Sequence, residues 1–339
     1  MSGLPDIGKR LFINEEGELR SGWRVLVFFI LYVVATSLFG GALKVLIILA
    51  PPLGRLLSQP PAPGEGVTSR GLIYLTSGQL INVAATLGAT AVCARLLERR
   101  SLASVGYKRH PGWLRDFSLG SVVGAASLGL AVALAAAFGA VAFEVNAHDG
   151  TLLTGGFVIL FLFFLISGAF EELLFRGFAF QALTHNLGAA AAVLITSILF
   201  GLAHLSNDNA STFSTVNTIL AGVWLGVAYL TTRSLWLATA LHYSWNFVMV
   251  FVFGLPVSGI STLTRLAWLR GSDLPPAWIS GGDYGPEGGA AATLALILST
   301  LLIWKGGLLK PSEEMLAAIR HGSVEPRPGG APADKEAGA

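Results

Sequence analysis

The sequence predicts an all-α, polytopic integral membrane protein with about eight transmembrane helices. Of its 339 residues, 53% are hydrophobic and only 12% are charged, whereas an average soluble protein has about 25% charged residues. The mean hydropathy is +0.66, and apolar stretches of about 20 residues, the length needed to cross a bilayer, recur along the chain. This composition excludes an ordinary soluble enzyme and a disordered or fibrous protein.

The predicted spans follow one another along the chain with polar connections between them. The first three form one group over 25–143, and the next four form a helical core over 152–253. We place the eight helices near 25–50, 71–97, 117–143, 152–175, 188–205, 213–231, 235–253 and 290–309.

Three polar segments flank or interrupt these spans. Residues 1–24 are expected to be a cytoplasmic N-terminal tail, and residues 310–339 a cytoplasmic, partly disordered tail after the last helix over 290–309. The segment 254–289 is rich in Gly and Pro and is expected to be an external loop. Within it, Leu263–Leu269 is expected to form a short interfacial helix.

Positive charges indicate the orientation in the membrane. Lys and Arg cluster in the N-terminal segment, in the loop after the second span and in the C-terminal segment, whereas the loops 51–70, 144–151 and 205–212, expected on the other side, hold only Arg55 and Arg70. Because such charges favour the cytoplasmic side, both termini are expected to be cytoplasmic, which agrees with an even number of spans.

Net charge, cysteine content and glycine spacing bear on the possible partners, metal sites and helix contacts. The formal net charge of +2 gives no indication of a nucleic-acid partner. The single cysteine, Cys93, excludes an intramolecular disulfide and a Cys-based zinc site. Gly120 and Gly124, four residues apart in the third span, predict a close contact between two membrane helices.

The first candidate functional motif follows the very apolar run 157–166. Glu171 and Glu172 are adjacent there, and Arg176 follows; charges within a bilayer are costly, which makes them functional candidates. Successive helical residues are about 100° apart, so the two carboxylates point to different faces. Glu172 and Arg176 have the spacing of an ion pair, which leaves Glu171 facing the interior of the bundle. The alternative is that the helix ends here and all three side chains are hydrated.

Two further motifs bring histidines into apolar helices. Phe200 and His204 share one helix face at the end of the fifth span, and His242 and Asn246 share one face of the seventh. Polar groups at this depth cost several kcal/mol unless they are satisfied. Each motif alone also fits a structural role, as a helix cap at His204 or as interhelical hydrogen bonds at His242 and Asn246.

Together, one carboxylate and two imidazoles on three helices indicate a single polar site. Glu171, His204 and His242 are of the types that hold a catalytic Zn²⁺ with an open water position. A metal-free scheme is equally open, with Glu171 activating water as general base and His204 assisting. In that scheme His242 and Asn246 donate hydrogen bonds to the oxyanion. Both schemes predict hydrolysis of an amide bond.

The three motifs, in this order on hydrophobic helices, resemble those of the CPBP family. The family comprises the CAAX-protease and bacteriocin-processing intramembrane proteases, which include the Rce1-type prenyl protein endopeptidases. The resemblance covers about 157–253. It is carried by Glu171-Glu172-x-x-x-Arg176, Phe200-x-x-x-His204 and His242-x-x-x-Asn246.

The resemblance implies an intramembrane endopeptidase acting on a membrane-associated protein or peptide, in the inner (plasma) membrane of a prokaryote. It implies that Glu171, His204, His242 and Asn246 line the catalytic site, and that Glu172, Arg176 and Phe200 support it. The family is commonly described as metalloproteases, and a glutamate-activated water without metal has also been proposed for it. A Zn²⁺ cofactor therefore stays open, as do the substrate, prenylated or not, and the oligomeric state.

Two other functions stay open at this point. Buried Glu, His and Asn also build proton-coupled small-molecule transporters, although no matching half-repeat or pair of broken helices is present. A non-catalytic relative that binds membrane proteins is the other alternative, although every matched position keeps its chemistry. The sequence lacks His-Glu-x-x-His and Gly-x-Ser-x-Gly, which disfavours other classes of membrane protease.

Overall fold

The computed structural model describes residues 11–14, 17–57, 69–146, 150–307 and 309–320. Within these ranges the chain is nearly all helical, with one two-stranded antiparallel sheet. The helices are α1 Ser21–Leu49, α2 Pro51–Leu57, α3 Ser69–Leu97, α4 Trp113–Ala137, α5 Gly150–Arg176, α6 Phe178–Leu187, α7 Ala189–Ala203, α8 Thr212–Thr232, α9 Leu235–Phe247, α10 Ala277–Ser280, α11 Ala290–Lys305 and α12 Glu313–Arg320. The strands are β1 Val141–Val145 and β2 Leu269–Asp273, and a π-helical turn, Val248–Val252, continues α9.

The helices have the lengths and compositions of membrane spans. In the described part of the chain, six stretches are long and apolar enough to cross a bilayer, and they comprise α1, α3, α4, α5 with α6, α8, and α9 with its π turn. Two shorter apolar helices, α7 and α11, lie where the fifth and eighth spans are predicted. The protein is a multi-pass membrane protein, and the predicted fold class is confirmed.

Helix α9 lies at the centre of the bundle, where it packs against α4, α5 and α8. Its contact with α4 is very close. A Cβ at Gly120 would lie 2.7 Å from the backbone oxygen of Leu237, and one at Gly124 would lie 2.5 Å from that of Leu241. The predicted glycine face of the third span is therefore a helix contact, and it fixes the helix that carries His242.

Local signals set the ends of the helices that carry the motifs. Ser211 and Ser214 form a reciprocal capping box at the start of α8. The hydroxyl of Ser234 accepts a hydrogen bond from Trp236 N–H at the start of α9. At Gly177 the chain turns sharply between α5 and α6, and a Cβ there would collide with the carbonyl oxygen of Leu173.

The third span differs from its predicted extent of 117–143. The helix ends at Ala137, because Gly139 adopts a left-handed φ of +68°. The next residues, Val141–Val145, form strand β1, which pairs antiparallel with Leu269–Asp273. The β-branched and aromatic residues of this segment suit an extended strand, so the fold contains a small sheet that an all-α prediction omits.

The segment 254–289 is folded into the protein rather than being a simple loop. It contains β2, α10 and three 3-10 turns. The expected short helix over Leu263–Leu269 is found in part: a 3-10 helix covers Thr262–Leu266, whereas Leu269 begins β2. Leu263 is buried, so the apolar residues of this turn face the protein core.

The two ends of the described chain are also more ordered than the predicted tails. Helix α1 begins at Ser21, inside the predicted tail 1–24, and Arg24 is buried with ion pairs of 2.8 Å to Glu18 and 3.2 Å to Glu98. In the predicted tail 310–339, residues 313–320 form α12. Residues 1–10 and 321–339 lie outside the described residues.

Candidate active site

The end of α5 carries the two predicted carboxylates, of which Glu172 is buried in an ion pair. Glu172 Oε1 lies 3.0 Å from Arg176 Nη1, and both side chains are fully buried. Arg176 also donates Nη2–H to the backbone oxygen of Gly222 at 3.0 Å, and its guanidinium lies 4.7 Å from the centre of the Phe200 ring. A charge at this depth needs a partner. The arginine therefore fixes Glu172 and connects α5 with α7 and α8.

Glu172 also orients His242 of α9. Its Oε1 atom lies 2.9 Å from His242 Nδ1. A carboxylate accepts, so Nδ1–H is the donor, and the other ring nitrogen, Nε2, lies 3.7 Å from Glu171 Oε2. This contact sets both the tautomer and the direction of the ring.

His204, the C-cap residue of α7, is oriented by the backbone. Its Nδ1 atom lies 2.7 Å from the carbonyl oxygen of Phe200, and the two rings pack with their centres 4.6 Å apart. A carbonyl oxygen only accepts hydrogen bonds, so Nδ1 carries the hydrogen and Nε2 presents a lone pair. That Nε2 atom lies 3.9 Å from Glu171 Oε2.

Glu171 thus lies between the two imidazole rings. Its Oε1 atom accepts a long hydrogen bond of 3.4 Å from the Ser167 hydroxyl, whereas its buried Oε2 atom has no hydrogen-bond partner among the described residues. The Glu171 side chain is 19% exposed, against 0% for Glu172. A buried carboxylate oxygen without a protein partner, beside two nitrogen atoms, is a suitable position for a water molecule or an ion.

These side chains line a cavity of about 880 Å³ inside the bundle. Asn246 lines it too, and its amide makes no hydrogen bond with the residues that the structure describes, which leaves its donors available. Most of the wall is apolar and aromatic. Helix α1 contributes one stripe at helical spacing, made of Gly22, Val25, Leu26, Phe29 and Tyr32.

The side chains of Glu171, His204 and His242 are of types that bind metal ions, but they are not spaced as ligands of one ion. Across the described ranges, no group of three or more His, Cys, Asp or Glu side chains is arranged closely enough to hold an ion. Even so, two imidazoles and one carboxylate make up a common catalytic zinc set. His204 and His242 each donate Nδ1–H to an oxygen atom. A zinc-bound histidine usually donates such a hydrogen bond from the ring nitrogen that does not bind the metal. The unpartnered Glu171 Oε2 atom adds to that fit.

Tyr107 is a supporting residue that the sequence did not reveal. It lies between α3 and α4, and its buried hydroxyl donates to the backbone oxygen of Ala169 at 3.2 Å and lies 2.6 Å from Thr239 Oγ1. Burial raises the pKa of Tyr107, which keeps the hydroxyl protonated. One side chain thus connects α5, near Glu171, with α9, near His242. No local sequence pattern identifies Tyr107. Ser167, by contrast, lies four residues before Glu171 on the same helix face, and this spacing could have identified it.

Comparison with known protein families matches residues 153–248 to the family described as type II CAAX prenyl endopeptidase Rce1-like. No curated protein matches the chain. The matched residues run from α5 to the π turn after α9 and include every residue of the three motifs. The family implies a protease that works in a membrane. Residues 153–248, which carry the pair of glutamates and the two histidines at one cavity, therefore match the Rce1-like family.

Proposed function

We propose that the protein is an intramembrane endopeptidase in which Glu171 activates the water molecule that attacks a peptide bond. One observation carries the proposal: the unpartnered Oε2 atom of Glu171 lies 3.7 Å and 3.9 Å from Nε2 of His242 and His204. The cavity around these atoms, about 880 Å³, is in the range of sites that enclose a drug-sized ligand or a short peptide, about 300–1,000 Å³.

The proposed reaction moves one proton through Glu171. Its carboxylate takes a proton from water as the water oxygen attacks the carbonyl carbon, and later gives the proton to the leaving amine. His204 Nε2, which presents a lone pair, accepts a hydrogen bond from the same water molecule and holds it in place. Because Nδ1–H of His204 is bound to the Phe200 carbonyl, the ring cannot turn away.

The oxyanion formed by the attack requires hydrogen-bond donors. Asn246 offers its amide N–H groups, which have no partner among the described residues. His242 contributes Nε2–H when its ring is protonated, and Glu172 keeps the ring oriented through the 2.9 Å contact at Nδ1. Donors that are already oriented in a site with little water contribute strongly to such a step.

A metal ion is compatible with the same residues. Glu171, His204 and His242 would hold Zn²⁺ when it is bound, and the ion would supply Lewis-acid activation of the water. Treatment with a chelator distinguishes the two schemes: a loss of activity that added Zn²⁺ restores supports a metal enzyme, whereas unchanged activity supports the metal-free reaction.

For the substrate and the orientation, the proposal follows the family and the loop charges. A peptide with a prenylated C-terminal CAAX sequence is one candidate substrate, because the family description names CAAX prenyl endopeptidases. We propose that both termini lie on the cytoplasmic side, since Lys and Arg cluster in those segments. The proposed location in a prokaryotic inner membrane follows the family resemblance and the compact chain. A reporter fused to either terminus that is active outside the cytoplasm would contradict this orientation.

The test is cleavage by the purified full chain in lipid nanodiscs. The probes are a farnesylated CAAX peptide and an unmodified hydrophobic peptide, with products identified by mass spectrometry. We expect Glu171→Gln to lower kcat/KM by roughly 10²–10⁴-fold, and His204→Ala to lower it less. Glu144→Gln, an exposed carboxylate on β1, is the matched control and should cleave like the wild type.

Two results would overturn the proposal. One is cleavage by Glu171→Gln at the wild-type rate. The other is the absence of cleavage together with proton-linked uptake of a small solute into vesicles that persists in Glu171→Gln, which would favour a transporter.

A further inference from the structure

A second carboxylate lies in the wall of the same cavity, outside the residues that match the family. Glu287 lies between β2 and α11, and it lines the cavity together with Ser258, which precedes β2. Glu287 Oε2 accepts hydrogen bonds from the backbone N–H and the hydroxyl of Ser258, at 2.8 Å and 2.7 Å. The side chain is therefore held in one orientation rather than free in solvent.

The backbone around Glu287 is fixed as well. Asn217 of α8 donates Nδ2–H to the carbonyl oxygens of Glu287 and Gly289, at 2.9 Å and 3.0 Å. Thr293 in turn donates its hydroxyl hydrogen to Asn217 Oδ1 at 2.7 Å. This network attaches the segment 254–289 to two membrane helices, so the position of Glu287 is built into the fold.

The charge of Glu287 has no cationic partner within the described part of the chain. No ion pair joins it to Lys, Arg or His there, and its Oε1 atom makes no hydrogen bond with the described residues. A half-buried carboxylate with one free oxygen gains free energy when a positive group binds beside it.

The cavity as a whole has a negative character. Its described lining contains two carboxylates, Glu171 and Glu287, and no Lys or Arg. Arg176 does not offset them, because it lies behind the lining and its charge is taken up by Glu172. The walls between the two carboxylates are mostly apolar, which limits screening by water.

We propose that Glu287, held by Ser258, forms a substrate subsite for a primary ammonium group, supplied by a lysine side chain or by a free amino terminus. The inference rests on the proposed endopeptidase function and adds the substrate class: an apolar peptide with a positive group on one side of the scissile bond. The polar side chains of Asn207 and Thr218 line the same cavity and supply acceptors for the ammonium hydrogens.

The experiment compares peptides that differ only in this charge. A hydrophobic peptide carries lysine or Nε-acetyl-lysine, scanned through the positions on either side of the cleaved bond, with its amino terminus free or acetylated. Acetylation removes the charge and keeps most of the side chain. For the wild type we expect kcat/KM to favour the charged peptide by about tenfold at one position. Comparing acetylation of the lysine with acetylation of the amino terminus shows which of the two supplies the ammonium group.

Three variants of the full chain assign the preference to Glu287. Glu287→Gln should reduce the ratio of the two kcat/KM values to near one, and Glu287→Lys should reverse it in favour of a peptide with glutamate. Ser258→Ala loosens the same segment but keeps the charge, so it should retain the preference. Glu144→Gln, outside the cavity, should retain it as well.

A binding measurement keeps this test separate from the test of catalysis. In a Glu171→Gln background the same labelled peptides are titrated by fluorescence anisotropy, so binding is read without cleavage. Tighter binding of the charged peptide that disappears with Glu287→Gln supports the subsite even when no peptide is cleaved. Equal binding of charged and acetylated peptides, or a preference that survives Glu287→Gln, overturns it whether or not the protein is a protease.

Discussion

Helices α1 and α9 both have the composition of a membrane span, yet they occupy opposite environments. In the most apolar window of α1 only 11% of the residues are buried, against 78% in the span that contains α9. The outer helix exposes large apolar side chains such as Leu38 and Ile48. The inner helix buries polar residues such as Thr239, His242 and Ser244.

The difference shows that apolar character identifies a span but not its place in the bundle. A lipid-facing helix needs apolar side chains on most sides, because lipid offers no hydrogen bonds. A central helix carries polar side chains where neighbouring helices supply partners. His242 has Glu172 at 2.9 Å, and Thr239 has Tyr107 at 2.6 Å.

The largest effect on stability is expected at the centre, from Glu172→Gln. The substitution leaves the fully buried Arg176 without its carboxylate partner, which costs about 3–5 kcal/mol. Thermal unfolding of the purified protein in detergent, followed by circular dichroism, measures the change. Glu144→Gln at the exposed surface is the control, and an unchanged midpoint for Glu172→Gln would contradict the buried ion pair.

A smaller loss is expected from Gly124→Val. The added carbon atoms would meet the backbone of Leu241 in α9, and overpacking of this kind costs about 1–3 kcal/mol. Gly129→Val in the same helix and Gly40→Val in α1 have open space around the new side chain. These two should unfold at nearly the wild-type temperature. Equal unfolding temperatures for all three variants would contradict the tight contact at Gly124.

The smallest of these effects is expected from Tyr107→Phe. It removes the hydroxyl that joins Ala169 and Thr239, at a cost of about 0.5–1.5 kcal/mol. Because those residues lie close to Glu171 and His242, kcat should fall severalfold while KM changes little. The control is Tyr74→Phe in α3, whose ring is 38% exposed. A wild-type kcat for Tyr107→Phe would show that the hydroxyl does not position the site.

The sequence predicts the helices and the site residues through different kinds of pattern. Apolar runs predict the spans because each run reflects a local requirement of the bilayer. Three motifs on separate helices predict that Glu171, His204 and His242 lie together, as they do in the structure. Their catalytic roles stay a prediction.

The features that the sequence did not reveal depend on contacts between distant residues. Strand β1 was predicted as the end of a helix, since an apolar run does not distinguish a strand from a helix. The Gly- and Pro-rich composition of 254–289 indicated a loop, and nothing local indicated that Glu287 meets Ser258 inside the bundle. Tyr107 likewise acts on residues more than sixty positions away.

The glycine contact between α4 and α9 has a mechanical consequence. At Gly120 and Gly124 the two helices lie too close for a side chain to fit between them, so we expect a shift of one helix to be transmitted to the other. Helix α1 lacks such an attachment to α9 and packs instead on α3 and α6. We therefore expect a substrate of the proposed protease that enters past α1 to displace α1, while His242 on α9 keeps its position.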